Sequence, residues 1–172
     1  MGNIKDFCSE VATTKPFLVP VRPSPTAAVD DCYFNAREEA ARAGGEAVFG
    51  WAIYEWPGVF VEAIHHAVVK VGQTYVDVSP NDDGWIYFIP DSAAPNDYNK
   101  QKGFDNKRKA LTDDPLVHQF LAQAAEKTRL QFAYPAGPVQ LSRDEARPLL
   151  EISDQHAMIY RQLLERCGRQ QK

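Results

Sequence analysis

The sequence predicts an α+β fold, in which a helix carrying Cys32 packs on an antiparallel sheet of about four or more strands and C-terminal helices follow. Three observations predict this class. Residues 30–43, DDCYFNAREEAARA, have a helical composition and end at two glycines. Between residues 46 and 90, runs of β-branched and aromatic residues alternate with tight-turn signals. Beyond residue 114, apolar residues recur at helical spacing.

Composition limits the class of protein. The chain has 172 residues, is 44% hydrophobic and 24% charged, and carries a formal net charge of −4. We therefore expect one soluble domain over residues 1–172 and no nucleic-acid partner. The absence of a long apolar run and of a secretory signal predicts no membrane partner and a cytoplasmic location. Cys8, Cys32 and Cys167 are too widely spaced to indicate a disulfide framework.

The N-terminal part divides into an extended segment and a helix. Residues 1–29 are predicted to be extended because they are rich in proline from residue 16 onward. The helix follows, with Asp30 or Asp31 as its N-cap, which places Cys32 in the first turn. There the helix dipole and the unpaired backbone N–H groups favour a thiolate nucleophile. The carboxylates of Asp30 and Asp31 oppose this effect unless they point away as caps.

Strands are predicted at residues 46–56, 59–71 and 85–90, with a further strand from Thr74 that forms a hairpin with the second. Gly72-Gln73 makes a two-residue loop in which Gly72 supplies the positive φ of a type II′ turn. In that register His66 and Asp77 lie on one face of the sheet and His65 on the other. A three-residue loop would shift the register and pair Asp77 with His65. We expect the two-residue loop, and therefore the His66 pairing.

The segment 91–113 is poor in apolar residues and is predicted to be a surface loop. Its stretch 99–109 is basic, with Lys100, Lys102, Lys107, Arg108 and Lys109. The alternative is a mobile flap that covers a site or docks an acidic partner.

Residues 114–172 are predicted to be mainly helical. Asp114 and Pro115 begin the first helix, and a short edge strand is expected within residues 130–141. Ser142 and Glu145 form a capping box for a short helix. A last helix is expected from Ser153, with Cys167 on its apolar stripe.

These elements carry the groups needed for thiol-dependent hydrolysis of an amide. Cys32 would be the nucleophile, His66 its base, and Asp77 the group that orients His66 and stabilises its cation. Asn35, one turn beyond Cys32, is a candidate oxyanion donor beside the Cys32 N–H. Glu62 shares the face of His66 and is a candidate for orienting substrate. The expected substrate is a peptide or protein amide, and this chemistry needs no cofactor.

Two other functions are compatible with the same residues. Cys32, His65, His66 and Asp77 are metal-ligand types, but adjacent strand histidines face opposite sides and no paired ligand motif accompanies them. We therefore expect no metal site. A non-catalytic binding domain, such as an immunity or adaptor protein, would use His66 and Asp77 as a structural pair and Cys32 as a packed thiol.

The order of these motifs resembles a known superfamily. A cysteine that opens a helix, a strand with HHAVVKV, a tight turn and a strand with YVDVSP resemble the transglutaminase-like branch of the papain-type cysteine hydrolases. The arrangement is also similar to the N-terminal glutamine amidases, which have an asparagine shortly after the cysteine, as Asn35 stands here. The elements C-x-x-N, GW, EAxxHAV and VDVSP further resemble a small bacterial and phage family.

This resemblance covers roughly residues 30–80. It implies a catalytic triad at Cys32, His66 and Asp77, and an amidase, deamidase, peptidase or transglutaminase activity. Tyr33 stands where the superfamily commonly has tryptophan.

Overall fold

A computed structural model describes residues 2–93, 105–134 and 140–168. The helices are α1 (Gly2–Val11), α2 (Cys32–Ala43), α3 (Pro115–Gln131) and α4 (Arg143–Cys167). The strands are β1 (Phe17–Pro20), β2 (Glu46–Trp56), β3 (Phe60–Val71), β4 (Thr74–Val76), β5 (Trp85–Pro90) and β6 (Lys107–Ala110). This mixture of an antiparallel sheet with an early helix and C-terminal helices confirms the predicted α+β class.

The described strands form one sheet in the order β1-β5-β2-β3-β4, and β6 pairs with β3. In the β3–β4 hairpin Val71 pairs with Thr74 and Val69 with Val76, which confirms the predicted register. Gly72 has a φ of 59°. Since Gln73 is not among the described residues with positive φ, the turn has the predicted type II′ character.

The chain divides into two compact units. Unit 1 comprises Met1–Tyr54 and Ala63–Asn96, and unit 2 comprises Glu55–Glu62 and Asp97–Lys172. In unit 1 one apolar cluster is built on Val19, Ala52, Val68, Ile86 and Phe88. A second cluster joins Ala36 and Ala40 of α2 to Ala67, Val69 and Val78. Helix α2 therefore packs on the sheet face to which Ala67 and Val69 point.

Unit 2 has its own core, in which α3 and α4 pack together. Its buried members are Trp56, Val59, Phe60, Val117, Phe120, Ile159 and Leu163. Leu163 is fully buried, and burial of a leucine side chain stabilises a fold by about 1.5–3 kcal/mol.

The N-terminal segment differs from the prediction of an extended chain over residues 1–29. Gly2–Val11 is a helix, whose residues Phe7, Cys8 and Val11 are buried at the spacing of one helix face. The proline-rich part does extend, and its Phe17–Pro20 pairs with β5 as an edge strand. Proline is tolerated there because an edge strand leaves one row of N–H groups unused.

Predictions for the C-terminal half differ from the structure as well. Lys107–Ala110 is strand β6 rather than loop, while Lys100 and Lys102 lie outside the described residues. The capping box at Ser142 is present, but its helix α4 continues through Ser153 to Cys167. The buried Ile159 and Leu163 keep one apolar stripe along that helix. Cys167 is exposed instead of core-facing.

The predicted edge strand at 130–141 is absent from its described part. Helix α3 runs to Gln131 and is followed by turns at residues 132 and 133. Residues 135–139 of that prediction lie outside the described residues. None of the helices in the described part of the chain has the length and apolar character needed to cross a bilayer.

Candidate active site

His66 of β3 and Asp77, one residue beyond β4, form the centre of the site. The His66 Nε2 lies 2.9 Å from the Asp77 Oδ2, which confirms the predicted cross-strand contact. The Asp77 side chain is fully buried, and that of His66 is 14% exposed. Because Nε2 faces Asp77, Nδ1 is the ring nitrogen that remains for Cys32, whose interaction with the imidazole raises the pKa of His66.

The surroundings of His66 favour its protonated form. Burial lowers the pKa of His66, but hydrogen bonds to Asp77 and Cys32, with the charges of both, outweigh burial and raise it to about 10. The ring is therefore a cation near neutral pH. A protonated imidazole can donate a proton to a leaving group, which is the role of a general acid.

The buried Asp77 is held by backbone as well as by His66. Its Oδ1 accepts a hydrogen bond from the Ser79 N–H at 2.9 Å. Its own N–H donates to the Pro20 carbonyl, and its carbonyl accepts from the Arg22 N–H at 2.8 Å. The two backbone contacts come from the end of β1 and the residues that follow it, where Val21 and Asp77 form an isolated parallel bridge. The carboxylate therefore reaches His66 from a fixed backbone.

Cys32 is the first residue of α2 and is partly exposed. Asp31 stands at the N-cap position, but its side chain makes no capping hydrogen bond. Cys32 therefore lies in the first turn of α2, where unpaired backbone N–H groups can stabilise a developing oxyanion. Asp30 has a φ of 61°, a left-handed conformation that costs about 1 kcal/mol and sets the turn into α2.

Asn35 has a different role from the oxyanion donor that the sequence suggested. Its Nδ2 donates to the Ala28 carbonyl at 2.7 Å and to the Ser79 Oγ at 3.3 Å. Its Oδ1 accepts from the Ala28 N–H at 2.9 Å. The buried amide therefore joins the segment before Cys32 to the segment after Asp77. Asn35 is a positioning residue for the site.

Tyr54 of β2 is a neighbour that the sequence analysis missed. Burial, with the charges of Asp77, Asp83 and Cys32, raises the pKa of Tyr54 to about 12, against the opposite effect of a hydrogen bond to Asn81. The phenol thus keeps its proton and remains a hydrogen-bond donor. The sequence contained one relevant indication, which is the alternation of side chains between the two faces of a sheet. Tyr54 packs against the cluster that contains Val68, and the Val68 side chain lies on the same face as His66.

The remaining predicted residues have other partners. Glu62 accepts hydrogen bonds from the Arg108 Nε at 2.7 Å and the Asn106 Nδ2 at 2.9 Å, so the structure gives its carboxylate a role within unit 2. His65 is buried, with Nε2 3.2 Å from the Tyr33 hydroxyl and its ring against Trp51. The two adjacent histidines therefore have the different surroundings that strand alternation predicts.

Comparison of the chain with protein-family models, curated proteins and solved structures found no match. Within the described ranges, no set of three or more His, Cys, Asp and Glu side chains is arranged to hold a metal ion.

Proposed function

We propose that this protein is a thiol-dependent acyl-transfer enzyme that hydrolyses an amide bond through Cys32, His66 and Asp77. The observation that supports the proposal best is the 2.9 Å contact of the His66 Nε2 with the buried Asp77 carboxylate, on a ring whose pKa is also raised by Cys32. A partly exposed sulfur, an imidazole with one nitrogen on each partner, and a fixed carboxylate are the parts that nucleophilic amide hydrolysis requires.

In the first half of the reaction, the Cys32 sulfur bonds to the amide carbon and the carbonyl electron pair moves onto oxygen. The N–H of Cys32 at the start of α2 is the candidate oxyanion donor, and the protonated Tyr54 phenol is a second. When the oxyanion collapses, the C–N bond breaks and the His66 imidazolium gives its Nδ1 proton to the leaving nitrogen. Ammonia or an amine departs, and a thioester remains on Cys32.

In the second half, neutral His66 takes a proton from water as the water oxygen bonds to the thioester carbon. The C–S bond then breaks, a carboxylic acid leaves, and the thiolate–imidazolium pair is restored. Asp77 keeps Nε2–H in place throughout and stabilises each cationic stage of the ring. An amine in place of water would give transamidation. The substrate class we propose is a peptide or protein amide.

The reactivity of the thiol tests this proposal. Cys8 is buried, and burial raises the pKa of its thiol, whereas Cys167 is exposed. We therefore use a Cys167→Ser background and measure iodoacetamide labelling of Cys32 by mass spectrometry at about pH 6.5, where an ordinary thiol is slow. Cys32 should label faster than Cys167 does in the wild-type chain. His66→Ala should slow Cys32 labelling by about tenfold or more.

The matched control for this experiment is His118→Ala, which removes an exposed histidine of α3. It should leave the labelling rate unchanged. Labelling that requires denaturant, or a labelling rate that His66→Ala does not alter, would contradict the proposed enzyme activity. Either result would favour a non-catalytic binding domain in which His66 and Asp77 are a structural pair. The amide chemistry is then tested by ammonia release from glutamine- and asparagine-containing peptides, with Cys32→Ala as the blank.

A further inference from the structure

Unit 2 contains a cavity of about 320 Å³. It is formed by side chains from the start of β3, from β6, from α3 and from α4. The residues that carry the argument are Phe60, Glu62, Arg108, Phe120, Lys127 and His156. This set combines aromatic rings with charged groups and an imidazole. Cavities with an apolar body and a few convergent polar groups are typical small-molecule sites.

The charged groups around this cavity are unevenly paired. Arg108 and Glu62 form an ion pair at 2.7 Å, and Arg108 also contacts Asp105 at 2.7 Å. The side chains of Arg108 and Glu62 are 12% and 18% exposed, respectively, so this ion pair is largely removed from water. Lys127 is half-buried, and it has no acidic partner in the part of the chain that the structure describes. Glu62 and Asp105 both face Arg108, so the four groups sum to zero, but Lys127 is the lining cation without a paired carboxylate among the described residues.

His156 supplies a polar atom that lacks a partner. Its Nε2 is buried and has no hydrogen-bond partner among the described residues, and a buried polar atom left in this way is destabilising unless a ligand or water satisfies it. The ring stacks on Phe120 with centroids 4.2 Å apart and planes at 18°. Burial and the charges of Lys127 and Arg108 lower the pKa of His156, against the opposite effect of Glu62. The ring is therefore neutral near pH 7.

We propose that this cavity binds a small organic carboxylate. One carboxylate oxygen would accept a hydrogen bond from the His156 Nε2, and the other would face the Lys127 ammonium. The apolar part of the ligand would pack against Phe60 and Phe120. A monocarboxylate places one negative charge opposite the unpaired Lys127, whereas a dianionic phosphate would add a second negative charge beside Glu62. A metal cation is disfavoured by the two nearby side-chain cations.

The probe for this site is benzoate, which combines one carboxylate with one flat apolar ring. Its binding to the full chain is followed through the NMR resonances of the His156 ring, up to about 50 mM, a concentration that saturates even a millimolar site. Benzamide has the same shape without the charge. We expect benzoate to produce a saturable shift, and benzamide to bind at least about tenfold more weakly.

Two variants locate the ligand. Lys127→Gln should weaken benzoate about tenfold or more, because it removes the charged partner. Arg129→Gln changes the same charge two residues along α3, at a side chain that is 67% exposed and paired with Glu126. It should leave benzoate affinity unchanged. Cys32 labelling should be unaffected in both variants, which separates this proposal from the proposed enzyme activity.

Three results would overturn the proposal. They are the absence of a saturable shift with benzoate, equal affinities for benzoate and benzamide, and equal losses in Lys127→Gln and Arg129→Gln. His156→Phe provides an independent test, since it keeps the aromatic contact with Phe120 and removes the buried nitrogen. We expect that variant to fold and to lose benzoate binding, and retained affinity would contradict the role assigned to Nε2.

Discussion

At the scale of single residues, the site depends on the balance of forces on the His66 ring. Burial disfavours the imidazolium, but Asp77 and Cys32 each accept a hydrogen bond from the charged ring and attract it. Because the combined effect of Asp77 and Cys32 is larger than that of burial, the pKa of His66 rises from an ordinary value of about 6.5 to about 10. A group with a raised pKa keeps its proton as pH increases through the physiological range.

We predict that both ring nitrogens of His66 are protonated at about pH 8. The nitrogen chemical shifts of the ring measure this directly. Asp77→Asn removes a charge and a charged hydrogen bond, so the pKa of His66 should fall and the neutral fraction should increase. Asp83→Asn, which changes a carboxylate that does not contact His66, is the control. A neutral ring at that pH in the wild-type chain would contradict the prediction.

At the scale of elements, α2 is aligned with the sheet by more than apolar packing. Ala36 and Ala40 are small enough to bring the helix close to the sheet, and this contact alone permits sliding. The hydrogen bonds of Asn35 to Ala28 and Ser79 fix the position of the helix start relative to the strand segment that carries Asp77. The position of the start of α2 therefore depends on the Asn35 side chain as well as on apolar packing.

Asn35→Ala should lower the free energy of unfolding by about 1–3 kcal/mol, because it leaves buried partners unsatisfied. It should also slow Cys32 labelling, since the start of α2 is no longer held. Glu38→Ala, an exposed position on the same helix, should change stability by less than about 0.5 kcal/mol. Urea unfolding and iodoacetamide labelling measure the two effects. An Asn35→Ala chain with wild-type labelling would show that apolar packing alone aligns the helix.

At the scale of the whole molecule, the site joins parts of the chain that are far apart in sequence. The continuation of β1 holds the backbone of Asp77 through the Pro20 carbonyl and the Arg22 N–H. Helix α2 brings Cys32, and β3 brings His66. The site therefore requires that unit 1 be folded. A local change near Pro20 or Arg22 should alter the position of the Asp77 carboxylate.

Arg22 offers a backbone test of that connection. Arg22→Pro deletes the N–H that donates to the Asp77 carbonyl at 2.8 Å, and should cost about 1–3 kcal/mol and slow Cys32 labelling. Arg22→Ala keeps the N–H and removes only an exposed side chain, so it should behave as wild type. Denaturant unfolding and thiol labelling of both variants make the comparison. Equal behaviour of the two would show that the N-terminal segment does not support the site.

The sequence by itself determined the β3–β4 hairpin and its register. A glycine with positive φ at Gly72 and the period-two alternation of the strands are local properties, and together they oppose His66 to Asp77 rather than His65. Helix ends were equally local, since Gly44, Asp114 and the Ser142 capping box each act within a few residues. These features need no knowledge of distant contacts.

Only the tertiary structure decided what lies around that hairpin. The pairing of β1 with β5, the backbone contacts of Asp77, the engagement of Asn35, and the nearness of Tyr54 all join residues that are distant in sequence. The same holds for β6 and for the cavity at Lys127 and His156. Local backbone preferences extend over a turn or two, whereas burial and hydrogen bonding across the sheet depend on which distant segments meet.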